Sequence, residues 1–170
     1  MKNIYIMGFM GTGKTTVGKA LAKKLGKDFI DLDNEIELYE GMSINEIFEE
    51  KGEDYFRQIE TKVLKEIAEK KDLIVSTGGG SIVTHGNLEI VKSSGILITL
   101  MASPEEILRR VSGNNDRPLL NVGNPLETIK KLLFERAPFY IKADYIIETT
   151  NKNIEEVVEE ILEILNDRNA

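Results

Sequence analysis

Residues Gly8-Phe9-Met10-Gly11-Thr12-Gly13-Lys14-Thr15 satisfy G-x-x-x-x-G-K-[ST] at every fixed position. They lie between a short apolar run, Ile4 to Met7, and a stretch of helical period, Lys14 to Leu25, in which Val17, Leu21 and Leu25 recur on one face and Gly26 is placed to cap the end. A strand that feeds a glycine-rich loop into a helix commits the chain to an α/β beginning. At average composition the four fixed positions would coincide by chance in about one chain in two hundred of this length. The chemistry needs the arrangement. Glycines let backbone N–H groups approach phosphate oxygens, the helix N-terminus adds partial positive charge, Lys14 reaches the terminal phosphates and Thr15 can ligate magnesium. Gly11, Thr12, Gly13, Lys14, Thr15 and Thr16 are therefore the expected nucleotide-binding residues.

Four further strand candidates follow, Phe29 to Asp31, Leu73 to Ser76, Ile96 to Leu100 and Tyr145 to Glu148, each short and bounded by Gly, Asp or Ser. Helical segments separate them. Ser43-Ile44-Asn45-Glu46 has the capping-box pattern, as does Asn153-Ile154-Glu155-Glu156, which precedes an apolar stripe of Val157, Val158, Ile161, Leu162 and Leu165. Strands alternating with helices pair in parallel through right-handed crossovers, so the expected fold class is a three-layer α/β/α domain. Residues 32–70 form a long helical insertion between the second and third strands, and residues 112–125 a polar, Asn-, Gly- and Pro-containing loop suited to be a lid.

Composition narrows the function. A chain of 170 residues suits one domain spanning 1–170, and 22 Lys and Arg against 29 Asp and Glu leave a net charge of −7. That balance argues against nucleic acid as a partner, because phosphate neutralisation needs clustered cations. With no cysteine there is no disulfide framework, thiolate zinc site or Cys nucleophile. The longest apolar stretch, 95–102, is far short of the roughly 20 residues of a spanning helix, and no export signal is evident at the N-terminus. The expectation is a soluble cytoplasmic protein with no membrane partner. The third strand ends without a carboxylate, which leaves Asp31 as the candidate for the magnesium shell. Asn151-Lys152-Asn153-Ile154 lacks the aspartate of a guanine reader, so the site reads as one for ATP.

On the acceptor side, Asp31-Leu32-Asp33 follows the second strand, and continued extension would place both carboxylates on one side. Arg57 and Glu60 lie three apart on the inserted helix and can pair, ordinarily as a solvated surface bridge. Gly78-Gly79-Gly80 follows the third strand, where one glycine would suffice for a turn; three suggest a close approach to a ligand. Arg117, in the polar loop, could reach a transferring phosphoryl group, whereas Arg57 and Arg136 suit bidentate capture of a carboxylate.

This set, Gly8 to Thr15, Asp31-x-Asp33, Phe56-Arg57-x-x-Glu60, Gly78-Gly79-Gly80, Arg117-Pro118-Leu119-Leu120 and Arg136-x-x-x-Tyr140, resembles the shikimate kinase family in order and spacing over essentially the whole chain. The resemblance implies a P-loop NTPase fold like that of adenylate kinase, with a five-stranded parallel sheet, a helical substrate-binding insertion and a lid loop. It implies that Lys14, Asp33 and Arg117 are catalytic, that Arg110 and Arg117 join the loop in binding ATP, and that Thr15 and Asp31 hold Mg2+. Asp33, Arg57, Arg136 and Gly78, Gly79 and Gly80 would bind substrate, the two arginines on its carboxylate. The implied partners are ATP, ADP and shikimate, the product shikimate 3-phosphate and the state a monomer. Asn151-Lys152-Asn153 lacks a proline common in the family at this loop, so Lys152 receives no role. Two other readings stand beside this one, a kinase for another hydroxy acid such as gluconate and a nucleotide-binding regulatory module that transfers nothing. His85 reads as a plain loop residue, and Met7, Met10, Met42 and Met101 as core or near-core side chains.

Overall fold

The computed structural model describes residues 2–112 and 123–169. In chain order these form β1 (Asn3–Gly8), α1 (Lys14–Leu25), β2 (Asp28–Asp31), α2 (Leu32–Glu40), α3 (Ile44–Lys51), α4 (Glu53–Glu69), β3 (Leu73–Ser76), a single 3-10 turn (Ser81–Val83), α5 (Asn87–Ser94), β4 (Gly95–Met101), α6 (Pro104–Val111), α7 (Pro125–Tyr140), β5 (Tyr145–Glu148) and α8 (Ile154–Asn169). The five strands are all parallel in the order β2-β3-β1-β4-β5. The expected strands, helices and capping boxes are present, with β1 and β4 each extending one residue further at both ends.

Alternation along the strands sorts the core into two faces. Tyr5, Met7, Leu73, Val75 and Leu97 pack with side chains of α2, α4, α5 and α7, while Ile4, Ile6, Ile74, Ile96 and Ile98 pack with α1 and α8. Every residue of β1 is buried, as expected for the central strand of a doubly covered parallel sheet. Each of its fully buried large apolar side chains contributes roughly 1.5–3 kcal/mol. The insertion over 32–70 is resolved into α2, α3 and α4, with Ser43 capping α3. Asn3, fully buried, bonds Ile67 O, Lys70 O and Leu73 N through its amide, and so fixes the return from α4 into β3.

After β1 the chain crosses to β2, returns to β3, and then passes over β1 to β4, so β1 is the topological switch point. Ligands of open α/β sheets bind at the carboxyl ends of strands there. Helix charge marks the same place. Each of the other seven α-helices among the described residues carries at least one acid in its first turn, but α1 carries none and begins at Gly13 without a side-chain cap. Its positive end is left for an outside anion. Among the described residues no helix is long and apolar enough to cross a membrane.

Candidate active site

The loop between β1 and α1 is shaped by its glycines. Gly8, Gly11 and Gly13 adopt φ values of 149°, 76° and 90°, and a Cβ on Gly8 would lie 2.3 Å from Leu100 O. Thr12 is buried, its hydroxyl donating to Phe9 O at 2.7 Å and its N–H to the same carbonyl, so its side chain builds the loop instead of facing a ligand. Lys14 Nζ folds back onto Gly8 O (2.7 Å) and Phe9 O (3.2 Å), contacts that a phosphate oxygen would take over. Thr15 and Thr16 stand on the exposed first turn of α1, with Thr15 Oγ1 3.3 Å from Asp31 Oδ2. Arg110 reaches across from α6. It donates to Gly11 O, Thr149 Oγ1 and Thr149 O at 2.8–3.1 Å and is held from behind by Glu106. The Arg109 and Arg110 guanidiniums hold the Glu106 carboxyl down to about 2.

The extended geometry expected over Asp31-Leu32-Asp33 is not what the chain adopts. Leu32 is fully buried and begins α2, and Asp31 is its N-cap, Oδ1 accepting from Asp33 N (3.0 Å) and Asn34 N (3.3 Å). A capped helix satisfies donors that a continued strand beyond the sheet edge would leave open. The two carboxylates still share the cleft. Asp31 serves as cap and neighbour of Thr15 at once, and Asp33 projects from the first helical turn.

The cleft has a volume of about 550 Å³, and Lys14, Asp31, Asp33, Gly78, Gly79, Gly80, Arg110 and Arg136 all line it. The three glycines mark its acceptor end. None has a positive φ; what they supply is space. A Cβ on Gly78 would lie 3.1 Å from Asp33 Oδ1, one on Gly79 3.1 Å from Arg136 Nη1, and one on Gly80 2.9 Å from Arg57 Nη2. The expected acid and both expected arginines thus converge on one turn. Arg57 is fixed by Glu60 at 2.8 Å, and Glu60 is 1% exposed, so the pair is not the solvated bridge its spacing suggested. Arg136 lies over the Phe9 ring, 5.2 Å from its centroid. Burial, reinforced by the Asp31 charge, pushes the Asp33 carboxyl up, with Lys14 and Arg57 opposing. Burial likewise raises Glu60 against the pull of Arg57.

For several participants the sequence showed no site role. Met10, Ser76 and Thr77 line the cleft, and Tyr140 donates its hydroxyl to Gly79 O at 2.8 Å. A second hollow of about 410 Å³ adjoins the loop, bounded by Gly11, Gly13, Arg110, Thr149 and residues 150–154. Lys152 also borders it, its ammonium paired with Glu160. His85 is exposed, and Met7, Met10, Met42 and Met101 are buried or packed on the core, as expected. Arg117 and most of the 112–125 lid lie outside the described residues.

Comparison with known proteins agrees with this geometry. The family model described as shikimate kinase matches residues 10–166. The shikimate kinase of Caldanaerobacter subterraneus is 48% identical over 95% of this chain and 95% of its own length. A solved shikimate kinase of Acinetobacter baumannii in complex with shikimate superposes with a TM-score of 0.93 at 42% identity, covering 99% of this chain and 94% of that one. A gluconokinase of Sinorhizobium meliloti shares the fold, with a TM-score of 0.64 but 18% identity over 95% of this chain and 90% of that one.

Proposed function

Because the chain belongs to the shikimate kinase family and transfers a phosphoryl group from ATP to shikimate, we propose a division of labour for the residues that surround its cleft. The observation that carries it is the convergence of Asp33, Arg57 and Arg136 on Gly78–Gly80, beside the loop that holds Lys14.

The loop N–H groups and the acid-free end of α1 cradle the ATP phosphates, with Lys14 on the transferred group. The hollow bounded by Arg110 and residues 149–154 takes the adenosine end. Arg57 and Arg136 hold the shikimate carboxylate as planar donors of fixed orientation, and Asp33 accepts from the acceptor hydroxyl. In the transfer the bond between the γ-phosphorus and its bridging oxygen breaks, a bond from that phosphorus to the substrate oxygen forms, and the hydroxyl proton passes to Asp33. The transition state is loose, so positioning and charge neutralisation dominate and a strong base is not needed. Raising the Asp33 carboxyl nevertheless makes it a better acceptor of that proton.

Magnesium suits the donors present. Thr15 and Asp31 offer two hard oxygens at the mouth of the loop, and this ion takes one or two protein oxygens and fills its octahedron with water and phosphate oxygens. Held by Thr15 and Asp31, it would supply positive charge against the phosphates of ATP. Arg117 is assigned to the transferring phosphate by the family resemblance. The chain as a whole is read as one kinase unit, a monomer of the cytoplasm, with α2, α3 and α4 as its acceptor side.

A coupled ADP-release assay with shikimate, gluconate or no acceptor tests the acceptor. Release should require shikimate; equal release in its absence would overturn the reading. Asp33→Asn should lower kcat by at least a hundredfold, and near-normal turnover would exclude Asp33 as the proton acceptor.

A further inference from the structure

The turn Gly78–Gly80 has all three of its carbonyls engaged. Gly78 O accepts from Ser81 N and Gly80 O from Val83 N, both at 3.2 Å, while Gly79 O accepts from the Tyr140 hydroxyl at 2.8 Å. Among the described residues none of the three glycine N–H groups has a hydrogen-bond partner. Two carbonyls are therefore set by backbone closure of the turn, and one by a side chain supplied from a helix 61 residues away.

We propose that Tyr140 is a positioning residue for the acceptor site: its hydroxyl fixes the orientation of the Gly79–Gly80 peptide and, with it, the donors and the arginine that meet the substrate carboxylate. The peptide unit is planar and trans, so its C=O and N–H point in opposite directions. Gly79 O points inward at a phenol that is 1% exposed, which turns Gly80 N–H outward to the cleft that Gly80 lines. Two adjacent glycines offer no side-chain barrier to rotation of the peptide between them. Without the hydroxyl, the inverted orientation, with a carbonyl oxygen facing an incoming carboxylate, becomes accessible.

The same turn borders Arg136. Arg136 and Tyr140 are four apart on α7, on one face, and a Cβ on Gly79, whose carbonyl the phenol holds, would lie 3.1 Å from Arg136 Nη1. Tyr140 is itself anchored, its own carbonyl accepting from Thr99 Oγ1 of β4 at 2.8 Å. Burial keeps the phenol protonated and able to donate.

The role of Tyr140 rests on the assignment of Arg57, Arg136 and the turn to the substrate carboxylate. The test is Tyr140→Phe, which removes one oxygen and keeps the ring. The KM for shikimate should rise about five- to tenfold, the worth of one buried hydrogen bond, with the KM for ATP within twofold of wild type. In 15N-glycine-labelled protein the Gly79 and Gly80 amide resonances should broaden or shift. Thr99→Val, which loosens the end of α7 but keeps the phenol, should lower the melting temperature and leave both KM values in place. An unchanged shikimate KM in Tyr140→Phe, parallel rises for both substrates, or a Thr99→Val effect equal to that of Tyr140→Phe would each overturn the proposal. Arg57→Lys and Arg136→Lys measured alongside separate the two ideas. If neither raises the shikimate KM, it is the carboxylate assignment that fails.

Discussion

Gly80→Ala separates affinity from stability at a single position. Gly80 has φ −104° and ψ 0°, which alanine adopts, so the backbone is not strained by the change. Removing a glycine's freedom in the unfolded chain adds about 0.4–1 kcal/mol of stability where the native conformation is compatible. The added methyl, however, would stand 2.9 Å from Arg57 Nη2, whereas ordinary contact begins at 3.4 Å, so the guanidinium must give by 3.4 − 2.9 = 0.5 Å. It has little room, since Nη1 is tied to buried Glu60 at 2.8 Å. A hydrogen bond to a charged group is worth about 1.5–3 kcal/mol. At 1.4 kcal/mol per decade, losing the aligned Arg57 contact raises the shikimate KM by about 10- to 150-fold. The measurement is the coupled ADP assay with shikimate varied at saturating ATP and the reverse, together with a melting curve. Expected are a large rise for shikimate, no more than twofold for ATP, and a melting temperature unchanged or higher. An unchanged shikimate KM refutes the reasoning. So does a Gly80→Ala effect of undiminished size in an Arg57→Ala background, because the displaced group would not then be Arg57.

Three further outcomes follow from the same geometry. Arg57→Lys and Arg136→Lys should each raise the shikimate KM by tenfold or more while barely altering that for ATP, since a lysine cannot reproduce the planar fork; initial-rate kinetics check it. Because the folded state raises the Asp33 carboxyl, its ionised form is disfavoured in the fold, and this cost is present above the folded value and absent below the ordinary 3.8. Asp33→Asn should therefore melt higher than wild type at neutral pH, with the difference vanishing as pH falls below 3.8; a constant difference across pH would contradict it. Gly8→Ala, which meets Leu100 O at 2.3 Å with φ 149°, should lose more than about 3 kcal/mol in urea unfolding.

What could be read in the chain was what is local. The loop from Gly8 to Thr15 announces itself because its chemistry requires contiguous residues, and Ser43 and Asn153 announce their helices through caps completed three residues on. Gly78–Gly80 was visible as a close approach, but the groups approached, Asp33, Arg57 and Arg136, come from three other elements. Glu60 illustrates the boundary. Its spacing from Arg57 gives the pair, yet only the packing of α4 against the sheet decides that the acid is buried. Asp31 shows competition between two local rules, strand alternation and helix capping, and capping prevailed because buried Leu32 turns the chain into α2. The links from Arg110 to Thr149 and from Tyr140 to Gly79 span 39 and 61 residues and exist only through the sheet order.

The acid-free start of α1 makes the fold's durability depend on its substrate. A helix end left without a counter-charge is completed when nucleotide arrives, and a ligand that binds only the folded state adds about 2.7 kcal/mol at a hundred times its dissociation constant. Set against a net stability of about 5–15 kcal/mol for a typical domain, that is a substantial share. Bound ATP would thus add to the stability of the fold that consumes it. When ATP falls, the open population visible to proteases grows, so catalytic supply and molecular lifetime decline together.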